Sequence, residues 1–293
     1  MLTITVPASS ANLGLGFDCL GLALDFNLTL TLGEARSSWL VHHPYGPEVP
    51  TNEENLVIET ALMVDPSIQP YEITVTSQIP LARGLGSSSS ALVAGLALGH
   101  WLAEGKIDKE QIFQESAALE GHPDNVAPTI FGGLQLTGET ATGVKTTALP
   151  FPNDLAALTF IPNYPLKTAE ARAALPAQLP LKSAALQSQR LANLVVACYE
   201  GDTRALQHLV EGDHLHEPFR ASLAPEFLTI RAELHRLGLA GTYLSGAGPT
   251  VVSLINKTQA QPIEKAINQL DLDGQLVLLP IQSSGLQINK TND

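Results

Sequence analysis

The stretch Pro80–Ala91 reads PLARGLGSSSSA and joins the strand-like alternation of Tyr71–Ile79 to the apolar, helix-like run Ala91–Leu102. A strand that passes through two closely spaced glycines into a helix predicts an anion cradle. Gly84 and Gly86 can take positive φ and bring the backbone close to a ligand, while Ser87, Ser88, Ser89 and Ser90 offer hydroxyls and N-cap chemistry where the helix starts. Unpaired N–H groups of that first turn, at the positive end of the helix dipole, favour a polyphosphate. A flexible Gly/Ser linker shares this composition, but linkers separate domains and this stretch is tightly flanked by regular, apolar segments. No Lys follows the glycines as a Walker A loop requires and GxGxxG is absent, so phosphate contacts would come from backbone and serine. Arg83 adds a cation beside the turn, where arginine is more often solvated than ligand-bound.

On the N-terminal side of the cradle, Leu2–Val6, Leu24–Leu32 and Glu72–Thr76 alternate with a period of two and predict strands. Asn55–Met63 reads as a helix, and His42–Thr51, with Pro44, Gly46, Pro47 and Pro50, as an exposed loop. Beyond the cradle come helices at Ser89–Glu104 and at Asp108–Leu119, the second capped by Asp108. Pro and Asn at Phe151–Asp154 then open a second half. It holds an apolar strand Leu155–Ile161, helices at Thr168–Leu175, Ser183–Tyr199, Thr203–Glu211 and Glu226–Leu237, strands Thr242–Leu244 and Val251–Ile255, a helix Ala260–Leu270 and a strand Gln275–Ile281. This order predicts an α+β fold in two intimately packed halves, residues 1–152 and 153–293.

With 293 residues, 44% of them hydrophobic, the chain can bury a substantial core. Sixteen Lys and Arg against 29 Asp and Glu leave a formal charge of −13, which repels nucleic acid and anionic membrane over most of the surface. A nucleotide is still admissible, because a local set of glycine N–H groups, a few arginines and a metal ion outweigh distant screened charges. Cys19 and Cys198 are too few for a secreted disulfide framework and lack CxxC spacing, which fits a reducing cytosol. The start MLTITVPASS reads as a strand rather than a targeting signal, and the apolar run around Leu92–Leu98 is too short to span a bilayer.

Three further clusters carry chemistry. In Pro7–Leu22, PASSANLGLGFDCLGL, the glycines Gly14, Gly16 and Gly21 make turns, and Asn12 and Asp18 are polar groups in an apolar stretch. They either tie the turns together or face a small polar ligand. In Glu120–Gly133, EGHPDNVAPTIFGG, Glu120, His122, Asp124 and Asn125 fall within six positions, and Pro123 and Pro128 are expected to keep the backbone out of a helix. Such a group suits Mg2+, which takes carboxylate, phosphate and water oxygens, better than zinc; a capped helix end with a polar turn is the plainer reading. Gly241–Thr250, GTYLSGAGPT, is either a hairpin connection or a second ligand-facing loop.

Taken together, the cradle and these clusters resemble the GHMP kinase superfamily over nearly the whole chain. The segments Val6–Leu24, Glu120–Pro128 and Tyr243–Thr250 resemble its homoserine kinase branch in particular. The resemblance implies a ribosomal-protein-S5 domain-2-like N-terminal domain, a ferredoxin-like C-terminal domain, ATP and Mg2+ as cofactors, L-homoserine as phosphoryl acceptor, and a homodimer, as members often form. It places ATP along Pro80, Leu81, Ala82, Arg83, Gly84, Leu85, Gly86 and Ser87–Ser90, its phosphates on Gly84–Ser90, and adenine beside Asn55 and Val57. It puts Mg2+ at Glu120 and Ser88, and the acceptor at Asn12, Asp18, His122, Asp124, Asn125, Thr168, Arg172 and Arg220. Asp18 or Asp124 would meet the ammonium group, and Arg172 and Arg220 the carboxylate. Asn125, Arg172 and Ser88 are the expected catalytic contacts, with no base assigned, because Asn125 stands where mevalonate kinases carry an aspartate. Within the same superfamily the rival is a mevalonate or shikimate type of kinase; outside catalysis it is a nucleotide-binding regulator.

Overall fold

The computed structural model describes residues 1–141 and 143–290. The first half runs β1 (Leu2–Ala11), β2 (Leu20–Ala35), β3 (Leu40–His42), α1 (Leu56–Val64), β4 (Tyr71–Ser77), α2 (Ser87–Glu104), α3 (Lys109–Glu120), α4 (Val126–Phe131), β5 (Leu134–Thr140) and β6 (Gly143–Leu149). Its strands β1, β2 and β4 pair antiparallel, β3 joins β4 in parallel, and β5 pairs both β2 and β6. The alternation seen in Leu2–Val6 and Leu24–Leu32 is the visible part of longer strands. Pro7, which cannot donate to a ladder, sits where the β1–β2 register shifts.

The second half continues with β7 (Leu155–Pro162), α5 (Thr168–Ala173), α6 (Leu181–Glu200), α7 (Thr203–Val210), α8 (Glu217–Arg220), α9 (Pro225–Arg236), β8 (Thr242–Leu244), β9 (Val251–Asn256), α10 (Ala260–Asn268) and β10 (Gly274–Leu279). Its four strands form an antiparallel sheet in the order β10-β7-β9-β8. A last strand, β11 (Gln287–Lys290), crosses back and pairs antiparallel with the outer edge of β1. One apolar core runs through both halves, from Ile4 and Leu22 to Leu194 and Val252, and a smaller one lies between the second sheet and α9 and α10.

Two expectations are corrected. Pro128 does not keep Glu120–Gly133 out of a helix: α4 occupies Val126–Phe131, and Pro128 lies in its first turn, where the missing N–H would have had no helical acceptor. The serines do not cap α2 either. Its N-cap is Gly86 in the left-handed region, φ 67°, with no side-chain cap at all. The hairpin β5–β6, the short helix α8 and β11 are elements that the sequence reading passed over. Among the described residues, no helix is long and apolar enough to cross a membrane.

Candidate active site

Two cavities meet at the cradle and share Ala82, Ser87 and Ser88. The larger, about 430 Å3, is polar and draws on both halves of the chain. The smaller, about 260 Å3, is mainly apolar and is made by the first half alone.

The cradle's backbone path is set by close approaches. A Cβ on Gly86 would collide with Ser9 Oγ, and one on Gly84, at φ 75°, with the carbonyl oxygens of Ser245 and Gly248. Ser245 lies in the Gly241–Thr250 cluster, and its hydroxyl donates to Gly84 O at 2.6 Å while lying 2.8 Å from Ser10 Oγ. That cluster is therefore both things it could have been: it connects β8 to β9, and it backs the cradle while Gly246 and Ala247 line the polar cavity. With no side chain capping α2, its first-turn N–H groups stay available at the positive end of the helix dipole.

The serines divide their work. Ser89 donates to Glu120 Oε1 at 2.9 Å and Ser88 reaches the same oxygen at 3.4 Å, whereas Ser90 is buried and bonded to Pro7 O and Gly86 O. Burial pushes the Glu120 carboxyl up from its usual range, an effect moderated by the Ser89 hydroxyl and then by His122. A hard cation would offset that cost. Glu120 and Ser88 offer it oxygen donors, but among the described residues no group of three or more His, Cys, Asp or Glu could hold a metal, so phosphate and water would have to complete a Mg2+ shell.

Opposite the cradle, Asp18 and Arg172 form an ion pair at 3.0 Å across the two halves. Asp124 is buried, with His122 Nδ1 at 3.4 Å, a separation that permits charge attraction although the two are not aligned as a hydrogen bond. The Asp124 carboxylate raises the His122 imidazole above its usual 6.5, against burial. Asn125 Oδ1 accepts from Ser9 Oγ at 2.9 Å, which orients its amide toward the cradle side of the cavity. Arg220 is buried and donates to Ala171 O and Gly246 O. Burial first, and the charge of Arg172 second, lower its pKa.

The structure brings most of the expected residues together. Asn12, Asp18, Ala82, Gly84, Gly86, Ser87–Ser89, Glu120, His122, Asp124, Asn125, Thr168, Arg172 and Arg220 all line the polar cavity. Asn12 meets both of the alternatives left open for its cluster, since it ties turns, accepting from Asp18 N and donating to Gly246 O, and also lines the cavity. Asp18 faces the cavity. Asn55, Val57 and Leu81 line the apolar cavity, where Asn55 also caps α1 by accepting from Val57 N. Four cradle positions lie elsewhere. Leu85 is in the core, Ser90 is bonded internally, and Pro80 and Arg83 line a separate cavity, the Arg83 guanidinium held by the carbonyls of Leu81, Pro162 and Asn163.

Sequence reasoning missed Phe17, Leu166 and Lys167 in the polar cavity, and His43, Tyr45 and Val49 in the apolar one. Phe17 stood inside a quoted motif and was given no role there. His43 and Tyr45 stood in the loop read as exposed, which His43 folds inward by reaching Tyr45 O and Val49 O, each at 3.1 Å.

Comparison with known proteins identifies the family. Residues 55–133 match the GHMP kinases N terminal domain and residues 194–270 the GHMP kinases C terminal domain. The homoserine kinase of Leuconostoc mesenteroides is 46% identical over 292 residues, covering 100% of both chains, and that of Lactiplantibacillus plantarum is 45% identical over 99% of this chain and 100% of its own. The solved structure of a putative homoserine kinase from Listeria monocytogenes superposes with a TM-score of 0.88 at 35% identity, covering 100% of both chains. Identity of this depth, sustained from end to end and spanning both halves of the fold, means that the chain belongs to the GHMP kinase family, in its homoserine kinase branch.

Proposed function

We propose that the chain transfers the γ-phosphoryl group of ATP to the side-chain hydroxyl of L-homoserine, giving O-phospho-L-homoserine and ADP, a step toward threonine. The observation that carries this reading is that one polar cavity joins the phosphate cradle to an acceptor site with charges of both signs, Asp18 and Asp124 against Arg172 and Arg220. An α-amino acid is itself a zwitterion. The Asp18–Arg172 pair, with both side chains more than a third exposed, is weak, so exchanging it for a substrate ammonium on the aspartate and a substrate carboxylate on the arginine costs little. Mevalonate and shikimate lack the ammonium group and would bring no cation to take the place of Arg172 at Asp18.

In the reaction a bond forms from the hydroxyl oxygen to Pγ as the bond from Pγ to the β,γ-bridging oxygen breaks, with ADP leaving in line. The apolar cavity, with Asn55 and Val57, takes adenine, and the N–H groups of the first turn of α2 take the phosphates. Mg2+ at Glu120 and Ser88 would neutralise charge on the β- and γ-phosphates. Asn125, anchored by Ser9, positions the acceptor, and Arg172 and Arg220 clamp its carboxylate, so orientation and charge compensation supply the catalysis. The hydroxyl proton passes to phosphate or solvent, since Asn125 accepts no proton. The two cysteines are free, one of them buried, which suits a reducing cytosol.

The test is ADP release with Mg-ATP and a panel of L-homoserine, mevalonate, shikimate and galactose. Homoserine-dependent ADP supports the reading; turnover of another acceptor in its place, or of none, overturns it.

A further inference from the structure

Phe17 occupies a place that the motif around it does not explain. The chain from Asn12 to Asp18 turns through positive φ at Asn12, Leu13, Gly14 and Asp18, and Leu13 and Leu15 are sunk in the core, so the segment has little freedom to shift. His216 grips it from below, its Nε2 at 2.7 Å from Gly14 O. A carbonyl only accepts, so Nε2 carries the proton and Nδ1 is left to face Arg220 Nη1 at 3.4 Å. The Phe17 ring stacks on this imidazole, centroids 5.2 Å apart at an interplanar angle of 22°. Both cavity arginines gather at the same ring: the Arg220 guanidinium carbon lies 5.4 Å from its centroid and that of Arg172 lies 5.8 Å from it.

Two guanidinium groups that converge on one carboxylate repel each other before it arrives. Arg220 is further restrained by two backbone carbonyls, but among the described residues the Arg172 side chain has only Asp18 as a hydrogen-bond partner, the one that a substrate ammonium would take over. An aromatic face attracts both cations without consuming the hydrogen-bond donors they need for the substrate. We infer that Phe17 is a positioning residue for carboxylate recognition: its ring holds Arg172 and Arg220 as a pair and so sets the preference for acceptor alcohols that carry an α-carboxylate. The inference rests on the homoserine reading of the same cavity.

The test uses Phe17→Leu, which removes the ring but keeps an apolar side chain, and Phe17→Tyr, which keeps the ring. The acceptors are L-homoserine and 3-aminopropan-1-ol, the same amino alcohol without its carboxylate. In Phe17→Leu the KM for homoserine rises about tenfold, the KM for ATP stays near that of the unaltered enzyme, and the preference for homoserine over 3-aminopropan-1-ol falls by a similar factor. Phe17→Tyr restores both. An unchanged preference in Phe17→Leu, or a parallel rise in the KM for ATP and both acceptors, overturns the inference, as does a tyrosine variant as impaired as the leucine one. Phe17→Met replaces Phe17→Leu if the latter shows no cooperative melting transition. Failure of the unaltered enzyme to phosphorylate homoserine would instead overturn the substrate reading, so the two failures are distinguishable.

Discussion

The apolar cavity is local and the polar cavity is shared. The first is lined only by residues between Leu28 and Ala91, held by a short loop, a helix cap and one face of the sheet. The second takes Asn12 to Asn125 from one half and Leu166 to Ala247 from the other, and its opposed charges meet across the junction. On the proposed reading, adenine affinity is a property of one half, whereas phosphate and acceptor binding depend on how the halves are set against each other, with Ser245 bracing Gly84 of the cradle. Residues lining one cavity should therefore change one Michaelis constant and leave the other alone.

Arg220→Ala should show the largest effect. It removes a buried guanidinium that opposes the substrate carboxylate, and kcat/KM for homoserine is expected to fall roughly 30-fold or more, corresponding to about 2 kcal/mol or more, with the KM for ATP little changed. Steady-state kinetics in both substrates check it, and a loss that falls on ATP would break the separation of the two cavities. Ala91→Phe is the complementary change. A ring projecting from α2 into a cavity of about 260 Å3 should raise the KM for ATP about tenfold while homoserine binding holds. If homoserine suffers equally, the cavities are coupled through the cradle serines they share.

The smallest effect concerns His122. Its folded pKa is raised above the unfolded 6.5 by Asp124, so the stability it contributes is fully present below pH 6.5 and is lost as pH rises through the folded value. Urea unfolding of the parent and of His122→Gln at about pH 5.5 and about pH 8 should show the parent losing more stability across that interval than the variant. Equal slopes would remove His122 from the charge balance of the polar cavity.

The strand, glycine turn and helix at Pro80–Ala91 were legible because period, punctuation and apolar run changed at the same place. The residues expected at the acceptor were singled out through motif resemblance rather than through periodicity, and they line the polar cavity. What escaped depended on partners far along the chain. The destination of Arg83 is set by carbonyls at Pro162 and Asn163, and the place of Phe17 by His216. Pro128 misled for another reason, since proline's harm to a helix depends on the turn it occupies and the sequence does not show where α4 begins.

The return of β11 to β1 has a consequence for how the protein is made. Leu2 pairs with Lys290, so the outer edge of the first strand has to wait for a partner that is synthesised long after it. At translation speeds of about 5–20 residues per second the wait is roughly 15–60 s, with a long β-edge open to other chains throughout. A nascent chain in that interval is a natural client for chaperones, and the yield of soluble protein should respond to growth temperature more than the stability of the finished fold would suggest.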